Sequence, residues 1–275
     1  MTAIAMTPVV NPEAIPVLNP ALMSTSITPS GTASVIANAA SAMPLSEIEQ
    51  VRFNMVEQQI RTWEVLDQSV LDLLFIVKRE NFVPPAYRTM AFMDTEIPLG
   101  NLAPDQYMLS PKMEARIVQE VLPLAHERVL LIGAGTGYLA ALIASLTLHV
   151  IAIEIFPEQA GAAAANINAA GIHNIEVIVG DAAVSPAHLI PHGSTFDIIV
   201  FTGSVPILPP AFLPYLAAGA RLFAVIGDVP AMQATIVLNS THPQDKGIAN
   251  TSSTVLFETV ITPLINAAHP SRFTF

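Results

Sequence analysis

The chain has 275 residues, 52% of them hydrophobic, enough to bury a sizeable core in one medium-sized domain with an appendage. It contains no cysteine, which excludes disulfides, Cys-based zinc sites and a thiol nucleophile. The net charge of −11, with 11 Lys and Arg, argues against a nucleic-acid binder, because phosphate affinity rests on clustered cations.

Residues 1–45 carry one charged residue, Glu13, no aromatic residue, and prolines scattered among Ala, Ser, Thr and Val. Neither the periodicity nor the bulk of a core is present, and a disordered tail is expected. The same stretch lacks a basic start followed by an uninterrupted apolar run, so no export signal is read and a cytoplasmic location is expected. Residues 46–275 read as a single domain, with a helical and loop part over 46–120 and an α/β core over 121–275. In "SEIEQVRFNMVEQQIRTWEVLD" a helix opens at Ser46, with Glu49 three residues on as in a capping box and Val51, Met55 and Ile60 on one side. A second helix is capped by Asp67, repeats Val70, Leu71, Leu74 and Val77, and is stopped by Pro84 and Pro85. An irregular segment follows and leads into a helix after Ser110, with Pro111 in its first turn.

The remainder alternates short apolar runs with helical stretches. "RVLLIG", "HVIAIEI", "IEVIVGD", "FDIIVFTG" and "RLFAVIG" are the strands. "GYLAALIASL", "PEQAGAAAANINAAG", ending at a left-handed Gly171, and "PPAFLPYLAAGA" are the helices, and "QATIVLNS" and "STVLFETVITPLI" are late β runs. The pattern predicts an α/β fold with a doubly wound, Rossmann-like sheet, both faces covered, preceded by helices and closed by a late β pair.

Between Arg128 and Glu154 there is no Asp, Glu, Lys or Arg, a stretch long enough to cross a bilayer. Three glycines within five residues, β-branched runs on both sides and Glu154 at the end of the second run favour strand, turn, helix and strand over a membrane span. Gly133, Gly135 and Gly137 then occupy the first strand-to-helix turn, where glycines let the backbone approach a ligand and expose amides at a helix start. A dinucleotide turn spaces its glycines G-x-G-x-x-G, but here the third comes one residue early and Tyr138 stands in its place. G-x-G-x-G is the pattern of S-adenosylmethionine (SAM) methyltransferases, in which no pyrophosphate needs accommodation. Glu154, 19 residues beyond Gly135, can accept both ribose hydroxyls, and Asp181 can accept from an adenine amino group. With their neighbours Ala134, Tyr138, Ile155 and Ala182 these residues make the expected cofactor set. The aromatic rings of Tyr138 and Trp63 suit packing better than cofactor stacking. His188 and His192 are separated by Pro191, which spoils a helical metal pair, and no metal is expected.

From about Val51 to the C-terminus the sequence resembles the protein-L-isoaspartate O-methyltransferases. The resemblance lies in "MVEQQI", "KRENFVPPAYRTMAFMD", "LSPKM", "LLIGAGTGY", "VIVGDAA", "FDIIVFTGSVPILPPAFLPYLAAGARLFAVIG" and "LFETVITPLI". It implies SAM as cofactor, S-adenosylhomocysteine as product, and peptides or proteins carrying L-isoaspartyl residues as partners, methylated on the free carboxylate so that the ester collapses through a succinimide. The family commonly places Ser or Thr two residues before the proline of "LSPKM", to contact the acceptor carboxylate. Here that position is Leu109. Ser110, next to it, is either the catalytic hydroxyl or a helix N-cap, and Thr202 and Gly203 are either substrate contacts or a simple turn. Two alternatives stay open: a methyltransferase for another acceptor, and a noncatalytic module that binds SAM or damaged protein.

Overall fold

The computed structural model describes residues 46–240 and 250–270. The expected tail, residues 1–45, lies outside them.

The capping box forms: the Glu49 amide donates to Ser46 Oγ and the Ser46 amide to Glu49 Oε2. The long helix does not run on. α1 (Glu47–Met55) passes into a π-helical turn (Val56–Ile60) and a 3-10 turn (Arg61–Trp63). Met55 and Ile60 are buried, but Val51 is exposed. The inward place goes to Arg52, which pairs with Glu80 and lies over the Phe92 ring. An ion pair with a partner 28 residues away has rotated the helix off its apolar register. Asp67 caps α2 (Gln68–Ile76) by accepting the Ser69 amide, and Val70, Leu71, Leu74 and Val77 are buried as expected. The helix ends at Ile76, well before Pro84 and Pro85, because Val77 turns extended and a 3-10 turn, Arg79–Asn81, follows. Inside the segment read as irregular, β1 (Ile97–Pro98) and β2 (Tyr107–Met108) pair antiparallel, Ile97 opposite Met108. α3 (Pro111–Val121) begins after Ser110, whose side chain makes no capping bond.

Among the described residues the main sheet has seven strands: β3 (Arg128–Ile132), β4 (His149–Glu154), β5 (Ile175–Val179), β6 (Phe196–Phe201), β7 (Leu216–Asp228), β8 (Ala231–Asn239) and β9 (Thr251–Thr259). Their spatial order is β5-β4-β3-β6-β7-β8-β9. The first five are parallel, and β8 and β9 add antiparallel. α3, α4 (Tyr138–Ala144) and α5 (Pro157–Ala169) belong with the face built from Val129, Leu131, Val150, Ala152, Ile198 and Val200. Each such side chain contributes about 1.5–3 kcal/mol by leaving water.

The opposite face, with Leu130, Ile132, Ile151, Ile153, Ile199 and Phe201, packs against Ile190 and Phe212. Among the described residues it is covered without an α-helix. Pro186 and Pro191 interrupt the loop that carries Ile190, and the expected helix around Phe212 is a 3-10 turn, Pro210–Tyr215, containing Pro214. The "LAAGA" assigned to that helix belongs to β7. Gly171 is left-handed, as expected. The chain winds from β3 outward to β5 and returns on the far side of β3 as β6, so the topological switch point lies between β3 and β6, at their carboxyl ends.

Candidate active site

An open chamber of about 670 Å³, counting its mouth, lies at these carboxyl ends, a size that suits a nucleoside-sized ligand. Gly133, Gly135, Glu154, Ile155, Asp181, Ala182, Thr202 and Gly203 of the expected set line it, with Leu109. The sheet has gathered side chains from four strand ends and the loop before α3.

The turn after β3 is held from all sides. Gly133, Gly135 and Gly137 take φ of 93°, 54° and 85°. At Gly133 a Cβ would also sit 2.2 Å from Thr202 Oγ1, whose hydroxyl donates to the carbonyls of Gly133 and Ile132 at 2.9 and 3.0 Å. α5 secures the far side: Gln159 and Asn166 donate to the carbonyls of Gly135 and Thr136. The expectation of exposed amides is corrected for the glycines themselves. The Gly133 and Ala134 amides donate to the Ile153 carbonyl, the Gly137 amide to Ala134, and the Gly135 amide to Glu154 Oε2 at 2.9 Å. A pyrophosphate would meet a carboxylate and amides already engaged, which is a physical reason to set the dinucleotide reading aside.

Glu154 is 5% exposed, and its Oε1 accepts the Phe156 amide at 3.2 Å. Burial raises its pKa, offset in part by the amides of Gly135 and Phe156. Each carboxylate oxygen has a second lone pair for an outside donor, so the group fits a pair of ribose hydroxyls. Asp181 accepts the Ala183 amide through Oδ1 and the Asn266 amide side chain at 2.7 Å through Oδ2. The acceptor set therefore suits a diol-bearing nucleoside and repels a phosphate.

Four expected residues do not line the chamber: Ala134 and Gly137, which sit within the glycine turn, and Tyr138 and Ser110, which fall elsewhere. The Tyr138 side chain turns away into the core, 5.3 Å from the Phe82 ring and under the Arg79 guanidinium, and burial raises its pKa. Ser110 lines an adjoining cavity with Trp63, Asp94, Lys112 and Ile261, while Leu109 lines the cofactor chamber. Trp63 is half-exposed there with Lys112 Nζ 4.0 Å above its ring. His188 and His192 are in the loop after Asp181, and among the described residues no group of side chains could hold a metal.

Sequence reading missed three contributors. Glu96 lines both cavities, and burial raises its pKa. The last β run stops at Thr259, and the chain then crosses to the switch point, where the Ser204 amide donates to Thr262 and the Leu264 amide to Ser204. Leu264 packs so closely on Gly203 that a Cβ there would meet it at 2.9 Å, which gives that glycine a packing reason. Arg79, 1% exposed, donates to the carbonyls of Ala91 and Leu109 at 2.7 and 2.6 Å and to Glu114 at 2.9 Å, pinning the chamber's loop to α3. No local pattern announces an arginine used this way.

The model of the protein-L-isoaspartate(D-aspartate) O-methyltransferase family matches residues 50–263. The chain belongs to that family. A protein-L-isoaspartate O-methyltransferase of Methanoregula boonei is 37% identical over 187 residues, covering 68% of this chain and 82% of the relative. One of Koribacter versatilis is 34% identical, over 68% and 81%. A solved protein-L-isoaspartate O-methyltransferase superposes with a TM-score of 0.62 at 20% identity, covering 79% of this chain and 65% of its own, just under two thirds. A second solved structure, from Plasmodium falciparum and in complex with S-adenosyl-L-homocysteine, gives 0.61 at 17% identity, over 80% and 99%. These two likenesses show the doubly wound fold of the family. In this chain the glycine turn follows β3, Glu154 ends β4 and Asp181 follows β5.

Proposed function

We propose that the chamber binds SAM and that the protein methylates the free carboxylate of L-isoaspartyl residues in peptides and aged proteins. The observation that carries the cofactor reading is Glu154 with the glycine turn folded onto it, which offers lone pairs to hydroxyls and sets a carboxylate where a phosphate would lie. Glu154 would hold the ribose, Asp181 the adenine side, and the stretch from Gly133 to Gly135 the amino-acid end. SAM supplies an electrophilic methyl group on a sulfonium.

The side chains have little acid-base work. An acceptor carboxylate has an ordinary pKa of about 4 and is ionised at neutral pH, so nothing must remove a proton from it. The protein's task is to align the acceptor oxygen with the methyl group and to exclude water, effects worth up to roughly 7–11 kcal/mol at optimal geometry. Leu109, at 8% exposure, Thr202 and the Leu264 segment form apolar or already bonded walls suited to that exclusion.

A radiolabelled methyl assay with paired peptides, identical except for L-isoaspartyl or L-aspartyl at one position, tests the proposal. Wild type is expected to label the isoaspartyl peptide alone, and Leu109→Ser to match or exceed it. Silence of both proteins, with S-adenosylhomocysteine still bound in calorimetry, would leave a different acceptor or a binding module.

A further inference from the structure

An acceptor carboxylate brought to this chamber needs a hydrogen-bond donor on its non-attacking oxygen, or it stays free to turn. Several donors near it are engaged or elsewhere, while the side chains of Gln106, Tyr107 and Thr262 also line the chamber. Thr202 is bonded to two carbonyls and the Gly135 amide to Glu154. Lys112 is paired with Asp94 at 2.8 Å, and Leu109 has no polar atom. Ser110 opens on the adjoining cavity.

The hairpin supplies another group. Ile97 is opposite Met108 in the β1–β2 ladder, so one step further along the same register Glu96 comes opposite Leu109. Residues facing each other across antiparallel strands put their side chains on the same side, with Cβ atoms ~4.5–5.5 Å apart. Glu96 and Leu109 indeed both line the cofactor chamber, and Glu96 alone is common to that chamber and the cavity lined by Ser110 and Lys112. No hydrogen bond or ion pair to its carboxylate is present among the described residues, whereas both chamber acids expected from sequence are partnered.

We propose that Glu96, in its protonated form, holds the acceptor carboxylate by a shared proton, doing from the opposite strand what a hydroxyl at position 109 would do. This rests on the isoaspartyl reading given above. Two carboxyl groups in contact cannot both stay ionised, so acceptor binding itself draws a proton onto the pair. Burial has already moved Glu96 in that direction. The charged and titratable groups around it are Asp94 and Lys112 in the adjoining cavity and Glu154, Asp181 and Tyr107 in the chamber. The acids favour the protonated form, and the one cation, Lys112, is turned to Asp94. During transfer the bond from methyl to sulfur breaks with its electron pair left on sulfur, the acceptor oxygen takes the methyl, and the proton stays on Glu96.

The test is calorimetry of the isoaspartyl peptide binding to the full chain saturated with S-adenosylhomocysteine, run in buffers of different ionisation enthalpy. Wild type should take up close to one proton on binding near neutral pH, and kcat/KM should fall as pH rises. Glu96→Gln should bind without proton uptake, keep activity at high pH and lose that pH dependence. Glu96→Ala should lose roughly ten- to hundredfold in kcat/KM, the loss of a hydrogen bond to a charged group. Glu176→Gln, the same change at an exposed acid of β5 that lines neither cavity, should behave as wild type. Peptide binding with no proton uptake, and Glu96→Ala equal to wild type, would overturn the role of Glu96 and leave the isoaspartyl function standing. No peptide binding to the wild-type complex would overturn both, and an inactive Glu96→Gln that still binds peptide would show that an ionised carboxylate is needed instead.

Discussion

Glu154 has two tasks that compete for the same oxygens, fixing the glycine turn and receiving a cofactor, and its protonation decides the second. Burial raises its pKa, so in the protein without cofactor its contribution to stability is fully present below the ordinary carboxylate value and is lost as pH rises through the raised one. Cofactor binding has the opposite sign, because hydroxyl donors favour the ionised form. Affinity for S-adenosylhomocysteine should therefore weaken on acidification at a pH above the usual carboxylate range. Glu154→Gln should bind roughly ten- to hundredfold more weakly at neutral pH, with this pH dependence removed, as calorimetry across a pH series would show. Gly133 gives a second test at this scale. Gly133→Ala must carry its Cβ at φ 93° into the Thr202 hydroxyl, and a cost of about 1–3 kcal/mol is expected in urea unfolding. Adding Thr202→Ala should recover only the steric part of that loss, since the backbone penalty remains.

The segment that carries Glu96 and Leu109 has little regular structure of its own, a two-residue ladder and short 3-10 turns. Its position depends on Arg79, buried between the carbonyls of Ala91 and Leu109 and the carboxylate of Glu114. Burial pushes the Glu114 pKa up to about 7 even against Arg79. Removing the guanidinium would leave a buried carboxylate and two carbonyls without their donor. Arg79→Met is thus expected to cost about 3–5 kcal/mol in urea unfolding, and to raise KM for the peptide more than it weakens S-adenosylhomocysteine. Glu114→Gln, which keeps an acceptor and removes the charge, should be milder. Equal damage to both ligands from Arg79→Met would show that the arginine supports the whole fold instead of the acceptor loop.

At the scale of the whole molecule, what could be read from sequence is what is written locally. The strand at Arg128–Ile132, the glycine turn, the acids Glu154 and Asp181 and the cap at Gly171 each follow from neighbours a few residues apart, and each is in place. The parts that stayed hidden join distant positions. Arg52 reaches Glu80, Arg79 reaches Leu109 across 30 residues, and Asn266 reaches Asp181 across 85, so no periodicity reports them. Tyr138 joins the cofactor set in sequence because it follows the glycine turn, but its ring packs on Phe82, the packing role its aromatic character suggests. The central claim unites the local and the distant: a nucleoside-shaped chamber on the sheet feeds a methyl group to a carboxylate held by the β1–β2 hairpin. The most direct test follows one L-isoaspartyl peptide by mass spectrometry during incubation with the protein and SAM. The account predicts a gain of one methyl, then loss of methanol to the succinimide, then growth of the normal L-aspartyl peptide at the original mass. An isoaspartyl peptide that stays unmethylated while the protein is saturated with SAM, or a methyl group found on any atom other than its free carboxylate, would contradict it.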